Sequence, residues 1–190
     1  MVEEAGSPWW KALAHAPRAH ATAALAAGAL LIGLTFVRIH PAENAALYAV
    51  VQIILVGVAV IDLETRRIPN ELVGALVVLA LVPRALGDRT VILEGVVTGL
   101  AVFAVALFLG SIARGGLGMG DVKLAAALGF VLGKVVLPAL VLGTALGAAA
   151  GLAVIARQGR AGRRATIAYG PYLALGGASA ILLFGPPPLV

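Results

Sequence analysis

Apolar and polar residues follow one another along this chain in long blocks rather than in strict alternation. Runs dominated by Ala, Val, Leu, Ile and Gly occupy roughly 21–37, 45–61, 72–86, 92–112, 122–134, 135–156 and 167–184. Short segments of charge, Pro or Gly separate them. Apolar runs of this length are too long for strands, so seven helices are predicted. The stretch at 21–37 carries no charge and is long enough to cross a bilayer core of ~30 Å. Arg38-Ile39-His40-Pro41 follows it with no small-x-small cleavage pattern, so a retained helix is expected rather than a signal peptide. The third and fifth stretches are the weakest: Pro83 and Arg84 cut one, and Lys123 lies inside the start of the other. With no internal repeat and no long linker, one membrane unit over 45–184 is expected. Residues 1–20 precede it as a tail, 21–44 as a first helix and outer loop, and 185–190 follow as a second tail. Trp9 and Trp10 in the first tail are expected at the membrane interface.

Composition turns these helices into membrane helices. Hydrophobic residues make up 61% of the chain and charged ones 12%, and the mean hydropathy is +1.04. A soluble domain is about one quarter charged. The fold class expected is therefore an all-α, polytopic transmembrane bundle of six to seven spans, with lipid as its solvent. Cysteine is absent, and the three histidines, His15, His20 and His40, all lie near the N-terminus. No metal site and no cofactor is expected. The net charge of +5 does not point to nucleic acid, because the basic residues sit between the apolar runs, where they orient membrane proteins.

With the N-terminus inside, the inner segments hold ten Lys and Arg (Lys11, Arg18, Arg66, Arg67, Arg114, Lys123, Arg157, Arg160, Arg163, Arg164) and the outer ones four (Arg38, Arg84, Arg89, Lys134). That asymmetry assigns the inner side to the cytoplasm. Asp62 then follows the second span, and Asp121 precedes the fifth. Two crossings lie between them, so residues 59 positions apart return to one face. An acidic residue at the edge of a membrane helix is costly without a partner or a task. After Asp62 comes Ile68-Pro69-Asn70, in which Pro69 stops helix continuation and Asn70 is a candidate N-cap for the third helix. Before Asp121 comes Gly115-Gly116-Leu117-Gly118-Met119-Gly120, too rich in glycine for a stable helix, so 114–120 is expected as a mobile loop that could receive an extended substrate. Paired carboxylates do not both ionise easily, and such a pair offers an acid and a base together for water-driven peptide cleavage. Lys123 is a candidate for holding one of them ionised.

Asp62 with Ile68-Pro69-Asn70, then Gly118-Met119-Gly120-Asp121-Val122-Lys123-Leu124, and finally Tyr169-Gly170-Pro171-Tyr172-Leu173 resemble the type IV prepilin peptidases, one branch of the GxGD membrane aspartic proteases. The resemblance runs from about Ala45 to Phe184. It implies that Asp62 and Asp121 are the catalytic pair, with Gly118, Gly120, Lys123, Pro69 and Asn70 as supporting motif residues. The implied reaction is removal, at the cytoplasmic side of the plasma membrane, of a basic leader from prepilin- or pseudopilin-like substrates. Larger members carry two CxxC pairs that accompany N-methylation. Without cysteine, this chain resembles the short, peptidase-only form, and methyl transfer is not expected. Ala168-Tyr169 stands where the family pattern has Pro-Phe. Two readings from other classes are a small transporter using the aspartates as a proton relay, and a non-catalytic scaffold packed through its glycines. The transporter would need polar helix centres, and Gln52 is the main polar residue there.

Overall fold

A computed structural model describes residues 18–86, 89–112, 117–159 and 168–189. Its α-helices are α1 (Arg18–Arg38), α2 (Ala42–Thr65), α3 (Asn70–Leu86), α4 (Arg89–Ile112), α5 (Met119–Leu132), α6 (Val136–Gln158) and α7 (Gly170–Phe184), with a 3-10 turn at Gly133–Val135. No strand occurs among the described residues. Three segments are long and apolar enough to cross a membrane: Ala42–Thr65, Thr90–Ile112 and Met119–Gln158, the last made of α5, the 3-10 turn and α6. The chain is an all-helical integral membrane bundle, as its apolar blocks predict. The Trp9–Trp10 tail, Arg114 and the basic residues at 160–164 lie outside the described residues.

Helix ends depart from the sequence expectation in informative ways. Asp62 does not follow α2 but sits inside its last turn. The helix runs on to Thr65 and stops where Arg66 turns left-handed (φ 53°), its N–H donating to the Asp62 carbonyl at 2.8 Å. Pro69 then blocks further helix and starts α3, because its carbonyl accepts the first intrahelical bond, from Val73 N–H at 3.3 Å. Asn70 is thus the first residue of α3 rather than its N-cap. Pro83 lies inside α3, which reaches Leu86, where the apolar run predicts its end. The glycine-rich approach to Asp121 is helical from Met119 onward, so Asp121 lies in the first turn of α5 and not before it. Of the expected loop, 114–116 lie outside the described residues.

The core forms where α2, α3, α5 and α7 meet. Leu55, Leu76, Leu124, Leu128, Val131 and Ile181 are fully buried there. α1 packs on α2, α4 on α5, and α6 on α7. Small residues let these backbones approach: a Cβ on Gly129 would come within 2.9 Å of Gly99 Cα, and one on Gly143 within 2.9 Å of the Tyr172 carbonyl. One end of the bundle is tied by buried polar bonds. Tyr48 Oη donates to the Pro187 carbonyl at 2.6 Å, and Leu189 N–H to Asn44 Oδ1 at 2.7 Å. Arg84, counted from the sequence among the outer-side basic residues, is buried and bonds the carbonyls of Phe130, Val131 and Pro188 at 2.6, 2.9 and 3.2 Å. It satisfies the exposed carbonyls at the C-terminus of α5 and also clasps the chain's last described residues. The segment expected as a tail is therefore docked, with Leu189 fully buried.

Candidate active site at one end of the bundle

At the end opposite Arg84, α2 finishes while α5 and α7 begin. Asp62 comes from the last turn of α2 and Asp121 from the first turn of α5. The two are close enough that the charge of Asp62 acts on Asp121. Asp62 is buried and Asp121 half-buried.

A bare glycine backbone stands against each carboxylate. Gly170, the first residue of α7, donates its N–H to Asp62 Oδ2 at 2.9 Å. A Cβ at Gly170 would stand 2.8 Å from that oxygen and 3.0 Å from Cγ, so no larger residue fits with the carboxylate in place. Gly118 is the N-cap of α5, on the same turn as Asp121. With Gly118 as N-cap, Asp121 occupies the third helical position, from which an acidic side chain reaches back to the N-cap amide. A Cβ on Gly118 would lie 3.0 Å from Asp121 Oδ2. The helix N-termini of α5 and α7 thus each have an acidic side chain beside them, the arrangement favoured by their dipoles. Arg66 lies near enough for its charge to act on Asp62.

The remaining motif residues join the α2–α3 connection to the start of α5. A Cβ on Gly120 would meet Ile68 Cβ at 3.2 Å, so the missing side chain lets the Ile68-Pro69-Asn70 segment lie against α5. Lys123 Nζ donates to Asn70 Oδ1 at 3.0 Å. Lys123, a candidate for holding a carboxylate ionised, bonds Asn70 and so ties α5 to α3. The reason is helical: residues two apart point to opposite sides, so Lys123 turns away from the side Asp121 faces. Two contributors were not anticipated from the sequence. Gly170 was visible as part of the Gly-Pro segment that opens the last helix, with nothing marking its amide as a partner for Asp62. Thr144, in the middle of an apolar run, carried no signal.

Beside Asp121 opens an apolar cavity of about 750 Å³, walled by α4, α5, α6 and the start of α7. Among the described lining residues only Asp121, Thr144 and Tyr169 have polar side chains, and Tyr169 Oη bonds Thr144 Oγ1 at 2.9 Å. That volume lies in the range of binding cavities for organic molecules and short peptide segments. Among the described residues no group of three or more His, Asp or Glu gathers that could hold a metal ion. Chemically, the arrangement offers two interacting carboxylates, one of which, Asp121, stands on the wall of an apolar recess.

Comparison with known proteins matches residues 49–154 to the type IV leader peptidase family. The chain is similar to a prepilin leader peptidase/N-methyltransferase of Burkholderia pseudomallei (strain 1026b), 38% identical over 140 residues, covering 70% of this chain and 44% of that protein. It is also similar to a prepilin leader peptidase/N-methyltransferase of Bacillus subtilis (strain 168), 32% identical over 130 residues, covering 68% of this chain and 52% of that protein. The chain spans about half the length of these curated relatives. No solved structure matches it.

Proposed function

Because this chain belongs to the type IV leader peptidase family, we propose that it is a membrane-embedded aspartic endopeptidase that removes the leader of prepilin- or pseudopilin-like proteins with Asp62 and Asp121. The observation that carries this reading is the convergence of two carboxylates from distant parts of the sequence, Asp62 held by the Gly170 amide and Asp121 on the wall of an apolar cavity. One carboxylate takes a proton from a water molecule, whose oxygen attacks the scissile carbonyl. The other gives its proton to the carbonyl oxygen. Collapse of the tetrahedral intermediate breaks the C–N bond as the first carboxyl gives its proton to the leaving amine and the hydroxyl of the intermediate returns one to the second. Acid–base transfers of this kind contribute ~10²–10⁴-fold each. The apolar cavity suits the hydrophobic segment that follows a basic leader, and the excess of Lys and Arg on the inner segments argues for cleavage at the cytoplasmic face of the plasma membrane. The proposal covers peptide cleavage and assigns no methyl transfer to these residues.

Replacing Asp62 or Asp121 by Asn preserves size and keeps an oxygen to accept the glycine amide. Co-expression with a prepilin-like substrate, scored by the mobility shift of leader removal, should show no cleavage with either variant while membrane insertion is retained. Full cleavage by Asp62→Asn would end the proposal.

A further inference from the structure

The cavity beside Asp121 and the amide that holds Asp62 meet in one residue pair. Tyr169 lines the cavity, and its neighbour Gly170 donates the bond to Asp62. The backbone of Tyr169 is fixed because its carbonyl accepts from Tyr172 and Leu173 N–H, at 3.1 and 3.2 Å, in the first turn of α7. Its ring is fixed too. The hydroxyl bonds Thr144 of α6 at 2.9 Å, and the ring sits in a notch made by Gly147, where a Cβ would come within 2.7 Å of Cε2. The other walls are aliphatic, with Val105 and Leu109 from α4, Leu137 and Leu140 from α6, and Leu173 from α7. Of the three polar side chains on the lining, Asp121 belongs to the proposed dyad, and Thr144 and Tyr169 bond one another. The surface offered to a substrate is therefore one of shape, with a single large aromatic wall next to the segment that carries the Asp62 clamp.

We propose that Tyr169 is the specificity-determining wall of this cavity, setting the size of the apolar side chain accepted beside the bond that is cut. This rests on the peptidase reading above. A rigid, doubly anchored ring discriminates by volume, and discrimination by size in an apolar pocket typically amounts to about ten- to two-hundred-fold. The Thr144 bond keeps the ring from swinging aside to admit larger groups, and the Gly147 notch sets how far it stands from α6.

The test uses the full chain in membranes and synthetic peptides carrying a Lys/Gly leader followed by a Leu/Ala segment, with Ala, Leu, Phe or Trp next to the cut bond. The readout is the ratio of kcat/KM for the Trp peptide to that for the Ala peptide. Tyr169→Ala should raise this ratio by about tenfold or more. Tyr169→Phe keeps the ring but frees it from Thr144, and should raise the ratio by less than Tyr169→Ala does. Gly147→Ala displaces the ring without removing it and should also change the ratio, which keeps the idea open to refutation if Tyr169→Ala fails to fold. Rates that fall by one common factor for all peptides, with the ratio unchanged, would make Tyr169 a structural residue and overturn the proposal alone. Failure of the unaltered chain to cut any peptide would overturn the peptidase reading and the wall with it.

Discussion

Gly170→Ala isolates the clamp on Asp62 without touching either carboxylate. The added Cβ would stand 2.8 Å from Asp62 Oδ2, whereas ordinary contact begins at 3.4 Å. The carboxyl group must therefore retreat by about 0.6 Å or more, and it loses the 2.9 Å bond from the Gly170 amide as it does so. Misplacing a reacting group by about 1 Å costs roughly 10²-fold in rate. A loss on the order of 10- to 100-fold in leader cleavage is expected, equivalent to about 1.4–2.7 kcal/mol of transition-state stabilisation. Alanine is the better helix former, so α7 itself should not suffer. Gly74→Ala provides the control, since a Cβ there meets nothing within 4 Å. The assay compares initial rates of substrate cleavage in membranes at matched protein amounts, alongside the melting temperature of each variant in detergent. Wild-type cleavage by Gly170→Ala would show that the clamp does not hold Asp62 in its reacting position. Reduced cleavage with an equally reduced melting temperature would assign the effect to folding.

Other outcomes follow from the buried polar groups. Arg84→Met leaves the carbonyls of Phe130, Val131 and Pro188 without their donor and should cost at least about 3 kcal/mol in denaturant unfolding; a loss under 1 kcal/mol would mean that other donors replace the guanidinium. Gln52 is fully buried, its Oε1 has no partner, and its Nε2 makes only a 3.4 Å bond to the Ala178 carbonyl. Gln52→Leu should therefore be neutral or stabilising by about 1 kcal/mol, and marked destabilisation would reveal a polar partner at that amide. Lys123→Met removes the exposed tie to Asn70 and should lower stability by about 0.5–1 kcal/mol with the pH profile of cleavage unchanged; a shifted profile would return Lys123 to the neighbourhood of a carboxylate.

The helices were legible because membrane helices announce themselves by uninterrupted apolar length, and the loops between them by charge. What the sequence did not reveal was the local setting of the chemistry. Glycine propensity argues against helix before Asp121, yet Met119 and Gly120 are helical. The first turn of a helix makes few intrahelical amide bonds, so poor helix formers cost little there, and Gly118 and Gly120 are needed for space against Asp121 and Ile68. Asp62 was expected beyond α2, since a carboxylate is a poor neighbour for an apolar run. It falls within the last turn because a bond from the Gly170 amide reaches it there from 108 positions away. Arg84 misled for a similar reason. As a charge after Pro83 it read as a weakening of the third helix and an outer-side marker, whereas carbonyl acceptors on other elements, one of them over 100 positions distant, make its burial tolerable. Each of these is a tertiary partner choice, which no local pattern encodes.

The geometry of the aspartate pair is set by packing well beneath it. Gly177 meets Leu128, whose Cδ2 would lie 2.7 Å from a Cβ there, and Leu55, whose Cδ1 would lie 3.4 Å away. Leu55 stands seven residues before Asp62, Leu128 seven after Asp121, and Gly177 seven after Gly170. Seven residues are about two helical turns, roughly 10 Å, so α2, α5 and α7 bring these three contacts to one depth and the three site residues to another. The equal offsets keep the helices in common register between the two layers. A shift of one helix along its axis at the Leu55–Leu128–Gly177 layer would move its site residue by the same distance, because a helix transmits axial displacement as a rigid rod. Gly177 therefore belongs functionally with Gly170, although it touches neither carboxylate. The absence of its side chain lets α7 sit close enough to α2 and α5 for the Gly170 amide to reach Asp62.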